Sequence, residues 1–177
     1  LISRKFDPER LFSIYNGLDF TPRTPAMNRA EYLRSVGLEA DETCVVAGIA
    51  ARLNPVKDIA TLIRGFAKAH RAFPALRLLI AGDGEEMANL KQLAADLGVA
   101  KAVCFAGWIS DTDSFYNALD INTLTSISET FPYALTEGAR AGLPTISSKV
   151  GGVSYLIDHG SNGFLFPPGE DQALADH

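Results

Sequence analysis

Cysteine is scarce in this sequence: Cys44 and Cys104 are the only two among 177 residues. Each sits in a strand-like apolar run with no Cys-x-x-Cys partner, which argues against a thiolate metal site and for two reduced, buried thiols. Histidine is nearly as rare, with three residues. His70 reads as the edge of an apolar helix face, His159 as part of an Asp-His-Gly turn, and His177 closes the chain, so no Ser-His-Asp arrangement can be assembled. No apolar run reaches the ~18 residues of a membrane span. A basic surplus is also missing: 16 Lys+Arg against 21 Asp+Glu give a net charge of −5. That excludes a broad electrostatic footprint for nucleic acid and leaves room only for a local cationic pocket. Repeats and low-complexity tracts are absent. What is present is ordinary globular material, 47% hydrophobic and 21% charged. At this length one domain around one core is expected.

Short β-rich apolar runs alternate with segments of helical period. Strands are expected at Thr43–Ala50, Leu76–Ala81, Val103–Ala106, Ile121–Leu124, Leu143–Ser147 and Gly163–Phe166. Between the first two, Asp58 can cap a helix in which Ile59, Leu62, Ile63, Phe66 and Phe73 face a core. Met87, Leu90, Leu93, Ala94 and Leu97 form the next stripe, closed by Gly98. Helices are further expected over Asp111–Leu119, over Pro132–Ala141 and near Val153–Ile157. No Asn-Gly or Asp-Gly turn joins two of these runs, so each crossover is a helix and consecutive strands run parallel. The fold class is therefore α/β, a doubly wound, mainly parallel six-stranded Rossmann-like sheet with helices on both faces. Residues 1–24 differ, and read as a lead-in from something upstream. The chain opens Leu1-Ile2-Ser3-Arg4 and closes on Ala173-Leu174-Ala175-Asp176-His177, where an amphipathic helix is starting, so both ends are expected to continue in a longer protein.

In such sheets ligands bind where strand carboxyl ends feed helix N-termini. After the first strand, Arg52 and Lys57 flank a loop that enters a helix, a combination suited to a phosphate or diphosphate; two solvated surface cations are the plainer alternative. Gly82-Asp83-Gly84 invites a dinucleotide reading, but Met87 stands where the G-x-G-x-x-G fingerprint needs its last glycine, and a tight turn explains these glycines as well. The richest loop is Ser126-Ile127-Ser128-Glu129-Thr130-Phe131-Pro132-Tyr133-Ala134-Leu135-Thr136-Glu137. Glu129 falls at the mouth of a helix and Glu137 further inside it, so the two carboxylates could accept hydrogen bonds from hydroxyls at both ends of an extended ligand. The alternative has Glu129 serving the helix dipole and Glu137 in solvent. Val150-Gly151-Gly152 allows a backbone to approach a ligand closely, or simply turns. Trp108 could flank a base or pack in the core.

Taken together these pieces resemble the donor-binding half of the group 1 family of retaining glycosyltransferases, which pair two Rossmann-like domains across a cleft. The resemblance runs from Ile14-Tyr15-Asn16-Gly17-Leu18-Asp19 through Ala51-Arg52-Leu53, Lys57-Asp58, Ala81-Gly82-Asp83-Gly84 and Phe105-Ala106-Gly107. It ends in the Glu-x7-Glu pair of Glu129 and Glu137 and its continuation Gly138-Ala139-Arg140-Ala141-Gly142-Leu143-Pro144. It implies that residues 1–24 lead in from a missing N-terminal domain, and that residues 25–177 form a nucleotide-sugar-binding domain truncated at its C-terminal end. Arg52, Lys57 and Glu129 would then be catalytic: the two cations would hold the donor diphosphate and stabilise its charge as it leaves, without a metal or other cofactor, while Glu129 engages the transferred sugar. Glu137 would bind the ribose diol. Thr130, Phe131, Pro132, Tyr133 and Ala134 would line sugar and phosphate, and Trp108 with Ile109 would meet the base. The implied partners are a nucleotide-diphosphate sugar and an acceptor glycan, lipid or small molecule held by the missing domain, with no nucleic acid. The implied setting is cytoplasmic, with the inner face of a membrane left open. A non-catalytic nucleotide-binding module on the same fold is the competing expectation, and the joint presence of Arg52, Lys57, Glu129 and Glu137 counts against it. The chain departs from the family pattern where Thr130-Phe131-Pro132 replaces Gly-Phe-Gly, where Ser154-Tyr155 replaces Pro-Glu, and where Asp58 follows Lys57 in place of glycine.

Overall fold

The computed structural model of the chain describes residues 7–12, 14, 17–21 and 23–177. Tyr15 and Asn16 of the Asn-Gly segment lie outside the described residues. Helix α1 (Arg29–Ser35) precedes strand β1 (Val45–Ala50), followed by α2 (Ile59–Ala72), β2 (Leu76–Ala81) and α3 (Met87–Asp96). Then come β3 (Val103–Gly107), α4 (Thr112–Asn117), β4 (Ile121–Leu124), α5 (Tyr133–Arg140), β5 (Thr145–Ser148), β6 (Gly163–Phe166) and α6 (Asp171–Asp176). Short 3-10 turns occupy Pro8–Arg10, Pro55–Lys57 and Gly151–Tyr155. The last of these stands where a helix near Val153–Ile157 was expected.

The six strands form one sheet in the order β3-β2-β1-β4-β5-β6, and every pairing is parallel. The chain works outward from β1 to one edge, then returns to the middle and works outward to the other. Loops leaving β1 and β4 thus diverge from neighbouring strands, which is where a doubly wound sheet opens a crevice. Alternation along the strands feeds two cores. Ala47, Ile49, Leu78 and Ile80 join α2, α3 and α6 residues on one side, whereas Val46, Leu79 and Ala81 meet Tyr32, Leu33, Phe115 and Tyr116 of α1 and α4 on the other.

Periodicity placed most helix faces correctly. Ile59, Leu62, Ile63 and Phe66 are buried, but Phe73 is exposed, because α2 has ended and Phe73 is its C-cap. Gly98, with φ 74°, closes α3 as expected. Cys44 is buried; Cys104, on an edge strand, is only half-buried and donates its thiol to the Val36 carbonyl at 3.1 Å. Helix α1 was not anticipated. Its signal is a capping box: Asn28 Oδ1 accepts from the Glu31 amide while Glu31 Oε2 accepts from the Asn28 amide, both at 3.0 Å. Arg29 then ties α1 to the sheet, donating to the carbonyls of Ala118 and Cys44 and pairing with Asp120. No helix among the described residues is long and apolar enough to cross a membrane.

Candidate functional site

Two loops meet at the crevice between β1 and β4. Lys57 Nζ lies 2.5 Å from Glu129 Oε1, joining the loop after β1 to the loop after β4. The Glu129 side chain is only 10% exposed, so this pair is shielded more than an ordinary surface ion pair. Its geometry is held from several directions. Ser126 Oγ donates to the same Glu129 oxygen at 2.6 Å, the Ile127 amide donates to the Val56 carbonyl at 2.9 Å, and Thr125 Oγ1 donates to the Lys57 carbonyl at 2.9 Å. Ser148 Oγ in turn donates to the Ser126 carbonyl at 2.6 Å. The buried hydroxyls after β4 therefore have a local purpose: they fix the backbone that carries Lys57 and Glu129.

The glycine pairs act from the flanks. A Cβ at Gly82 would collide with the Ala51 carbonyl, and one at Gly84 with the Leu53 carbonyl. The backbones there are hydrogen-bonded, Leu53 amide to Asp83 carbonyl at 2.9 Å and Glu86 amide to Leu53 carbonyl at 3.1 Å. Gly82-Asp83-Gly84 is thus a buttress for the Arg52 loop, which accounts for its glycines without a dinucleotide. Gly151 and Gly152 do the same for the other loop: side chains there would strike the carbonyls of Glu129 and Thr130, and the Gly152 amide donates to Thr130 at 3.0 Å. Their close backbone approach is to the glutamate loop.

The Asp58 cap is as expected, and the two helix N-termini near the site differ in how they are capped. Asp58 caps α2, accepting from the Thr61 amide and hydroxyl at 3.3 and 2.7 Å, so that end already has its carboxylate. Helix α5 has no side-chain cap; Pro132 stands just before its first turn with φ −76° and ψ 123°, leaving Tyr133 and Ala134 to begin the helix. A proline is well placed at that junction, and the first turn of α5 is left without a side-chain cap.

The remaining candidates divide into two groups. Arg52 is exposed on the loop after β1, near the Lys57–Glu129 pair in sequence, and forms no ion pair with a described residue. Thr130 is exposed, Phe131 half-buried, and Pro132 buried at the mouth of α5. Glu137 is not in solvent: its Oε2 accepts from the Tyr116 hydroxyl at 3.0 Å. It lines a recess of about 240 Å³ with Arg23, Asp113, Tyr116, Asn117 and Arg140. Trp108 is 78% exposed after Gly107, which rules out the core alternative, and Ile109 beside it is half-buried. The histidines have structural roles. His70 stacks on Phe66 and contacts the Leu76 carbonyl, and His159 Nδ1 accepts from the Leu165 amide.

Comparison with known proteins agrees with this architecture. The family described as "Glycosyl transferases group 1" matches residues 34–177. The lipopolysaccharide core biosynthesis glycosyltransferase LpsE of Rhizobium meliloti is 32% identical over 166 residues, covering 94% of this chain and 45% of that protein. Among solved structures, Anabaena Alr3699/HepE in complex with UDP-glucose superposes with a TM-score of 0.86 at 31% identity, over 99% of this chain and 48% of that one. The C-terminal domain of a glycosyl transferase group 1 family protein, LpcC of Francisella tularensis, gives a TM-score of 0.77 at 25% identity, over 90% of this chain and 85% of that domain. The chain spans less than half the length of the longer relatives.

Proposed function

This chain belongs to the group 1 glycosyltransferases, and from that premise we propose that it is the donor-binding domain of a retaining enzyme that moves a sugar from a nucleotide diphosphate to an acceptor hydroxyl. The observation that carries the reading is the Lys57–Glu129 pair, held where the loops after β1 and β4 join at the strand carboxyl ends. Residues 25–177 then make up the donor domain, and residues 1–24 lead in from the domain that holds the acceptor. The correspondence with the LpcC C-terminal domain, and the share of the longer relatives that is covered, support that division.

The chemistry follows from charge. As the bond between the sugar carbon and the diphosphate oxygen breaks, negative charge grows on the leaving oxygen. Lys57, with Arg52 on the same loop, meets that charge. An ammonium already fixed by Glu129 needs little reorganisation to do so, and this is the condition under which electrostatic stabilisation is strongest. Glu129 keeps one carboxylate oxygen on Lys57 and Ser126, and its other oxygen accepts hydroxyls of the transferred sugar. The uncapped amides at the start of α5 receive phosphate or sugar oxygens, Glu137 receives the ribose diol, and the base lies against the segment of Trp108 and Ile109. The donor's base is uracil on this reading, supported by the UDP and UDP-glucose complexes of Anabaena Alr3699/HepE.

Titration calorimetry tests the proposal. The chain should bind UDP, and bind uridine far more weakly, with Arg52→Ala and Lys57→Ala each weakening UDP by roughly tenfold or more, the worth of a charge-assisted contact. Equal affinity for UDP and uridine, or full UDP affinity in both variants, would remove the diphosphate from this loop.

A further inference from the structure

Glu137 sits on a helix whose rotation is fixed from beneath. Gly138 follows it in α5, and a Cβ there would collide with the side-chain amide of Asn122. Asn122 is fully buried on β4, and its Nδ2 donates to the Ala134 carbonyl at 3.1 Å. The absence of a side chain at Gly138 thus lets α5 settle onto the Asn122 amide, and this sets which way Glu137 projects. The Tyr116 hydroxyl then acts on the carboxylate itself, 3.0 Å from Glu137 Oε2 and 3.4 Å from the Ala134 carbonyl. Tyr116 is 1% exposed and wedged edge-on against Phe115, so its ring has nowhere to go. Burial, and after it the neighbouring Glu137 charge, push the phenol well above its ordinary range, so the hydroxyl is a proton donor at neutral pH.

A buried donor on one carboxylate oxygen has a definite consequence. It selects one side-chain orientation for Glu137 and occupies one of the four acceptor positions, leaving Oε1 and the remaining lone pair of Oε2 for a ligand. Two adjacent hydroxyls on a ring match a carboxylate that keeps three of its four acceptor positions open. Resting on the reading in which Glu137 receives the donor ribose, we infer that Tyr116 is a positioning residue that orients Glu137 and so sets the preference of this site for ribose over deoxyribose nucleotides. Tyr116 does not touch the nucleotide; its effect passes through the carboxylate.

The test is calorimetric titration of the 177-residue chain with UDP, 2′-deoxy-UDP and pyrophosphate. Wild type should prefer UDP over 2′-deoxy-UDP by roughly tenfold, the scale of a hydrogen bond to a charged group. Tyr116→Phe should reduce that ratio to about twofold or less and leave pyrophosphate binding unchanged, since the cations on the β1 loop are untouched. A residue that only filled space would weaken all three ligands together. If Tyr116→Phe does not fold, Tyr116→Met removes the hydroxyl with a different shape and must show the same loss of discrimination. A folded variant that keeps the wild-type ratio overturns the inference and leaves the donor reading standing. Wild type that binds UDP without discriminating against 2′-deoxy-UDP overturns the role of Glu137, and the inference with it.

Discussion

Asp58 occupies the left-handed backbone region, with φ 44° and ψ 49°, and it is the only described residue other than glycine with positive φ. That conformation costs an L-residue roughly 1–2 kcal/mol, with Asp and Asn among the few types that visit it routinely. It also explains why the related pattern has glycine after the lysine: the chain must turn there to present Lys57 to the crevice and start α2 at once. Asp58 offsets the strain by capping α2 through Thr61. Asp58→Gly should therefore be close to neutral, losing the cap and relieving the backbone. Asp58→Ala should destabilise by about 1–2 kcal/mol or more, because it loses the cap and keeps the strain. Urea unfolding of the two variants checks this, and an alanine variant as stable as the glycine one would contradict it. Neither the left-handed turn nor the Tyr116–Glu137 contact was legible in the sequence. A side-chain pairing between α4 and α5 depends on how two helices sit on one sheet, and no spacing along the chain encodes that.

The elements themselves were readable wherever a strand or helix had to bury a periodic face. All six strands and their parallel direction follow from apolar runs separated by helices, because both faces of this sheet are covered; their order across the sheet does not. Helix α1 escaped because it is short and shows little apolar periodicity; the Asn28–Glu31 capping box was the signal available. The glycine loops were visible as motifs, but their purpose was not: they lean on neighbouring loops, which only the strand order brings together. Gly84→Ala tests that purpose. Its Cβ would press on the Leu53 carbonyl, so the Arg52 loop must shift, with an expected loss of about 1–3 kcal/mol in stability from overpacking and weaker UDP binding. An unchanged urea midpoint together with unchanged UDP affinity would mean that the buttress is not needed.

At the scale of the molecule, pH acts through groups that folding keeps protonated. Burial raises Cys104, pushes Tyr32 up to about 12, and lifts Tyr116 further. With folded-state values above unfolded ones, their contribution is fully present below about pH 9, and it is lost as pH rises through the folded-state values. The urea midpoint should accordingly fall as pH rises from about 9 towards 12, and less steeply in Tyr116→Phe; a flat profile would contradict the assignment. The two acidic residues with lowered values, Asp19 and Asp41, are fully exposed and owe the shift first to the hydroxyls of Thr21 and Thr43; they add nothing comparable on the acid side. On the proposed reading, catalysis needs a second domain that brings the acceptor to the donor. Holding two substrates together can remove about 7–11 kcal/mol of a barrier, and one half of the positioning surface is not expected to transfer sugar efficiently by itself. The direct test of the whole account is steady-state kinetics of the longer enzyme carrying Lys57→Ala, with the nucleotide sugar varied. If Lys57 meets charge that grows on the leaving diphosphate, kcat falls by about 10²–10³, a larger loss than the roughly tenfold weakening of donor binding. An unchanged kcat with only a raised KM would make Lys57 a binding residue and contradict the account at its centre.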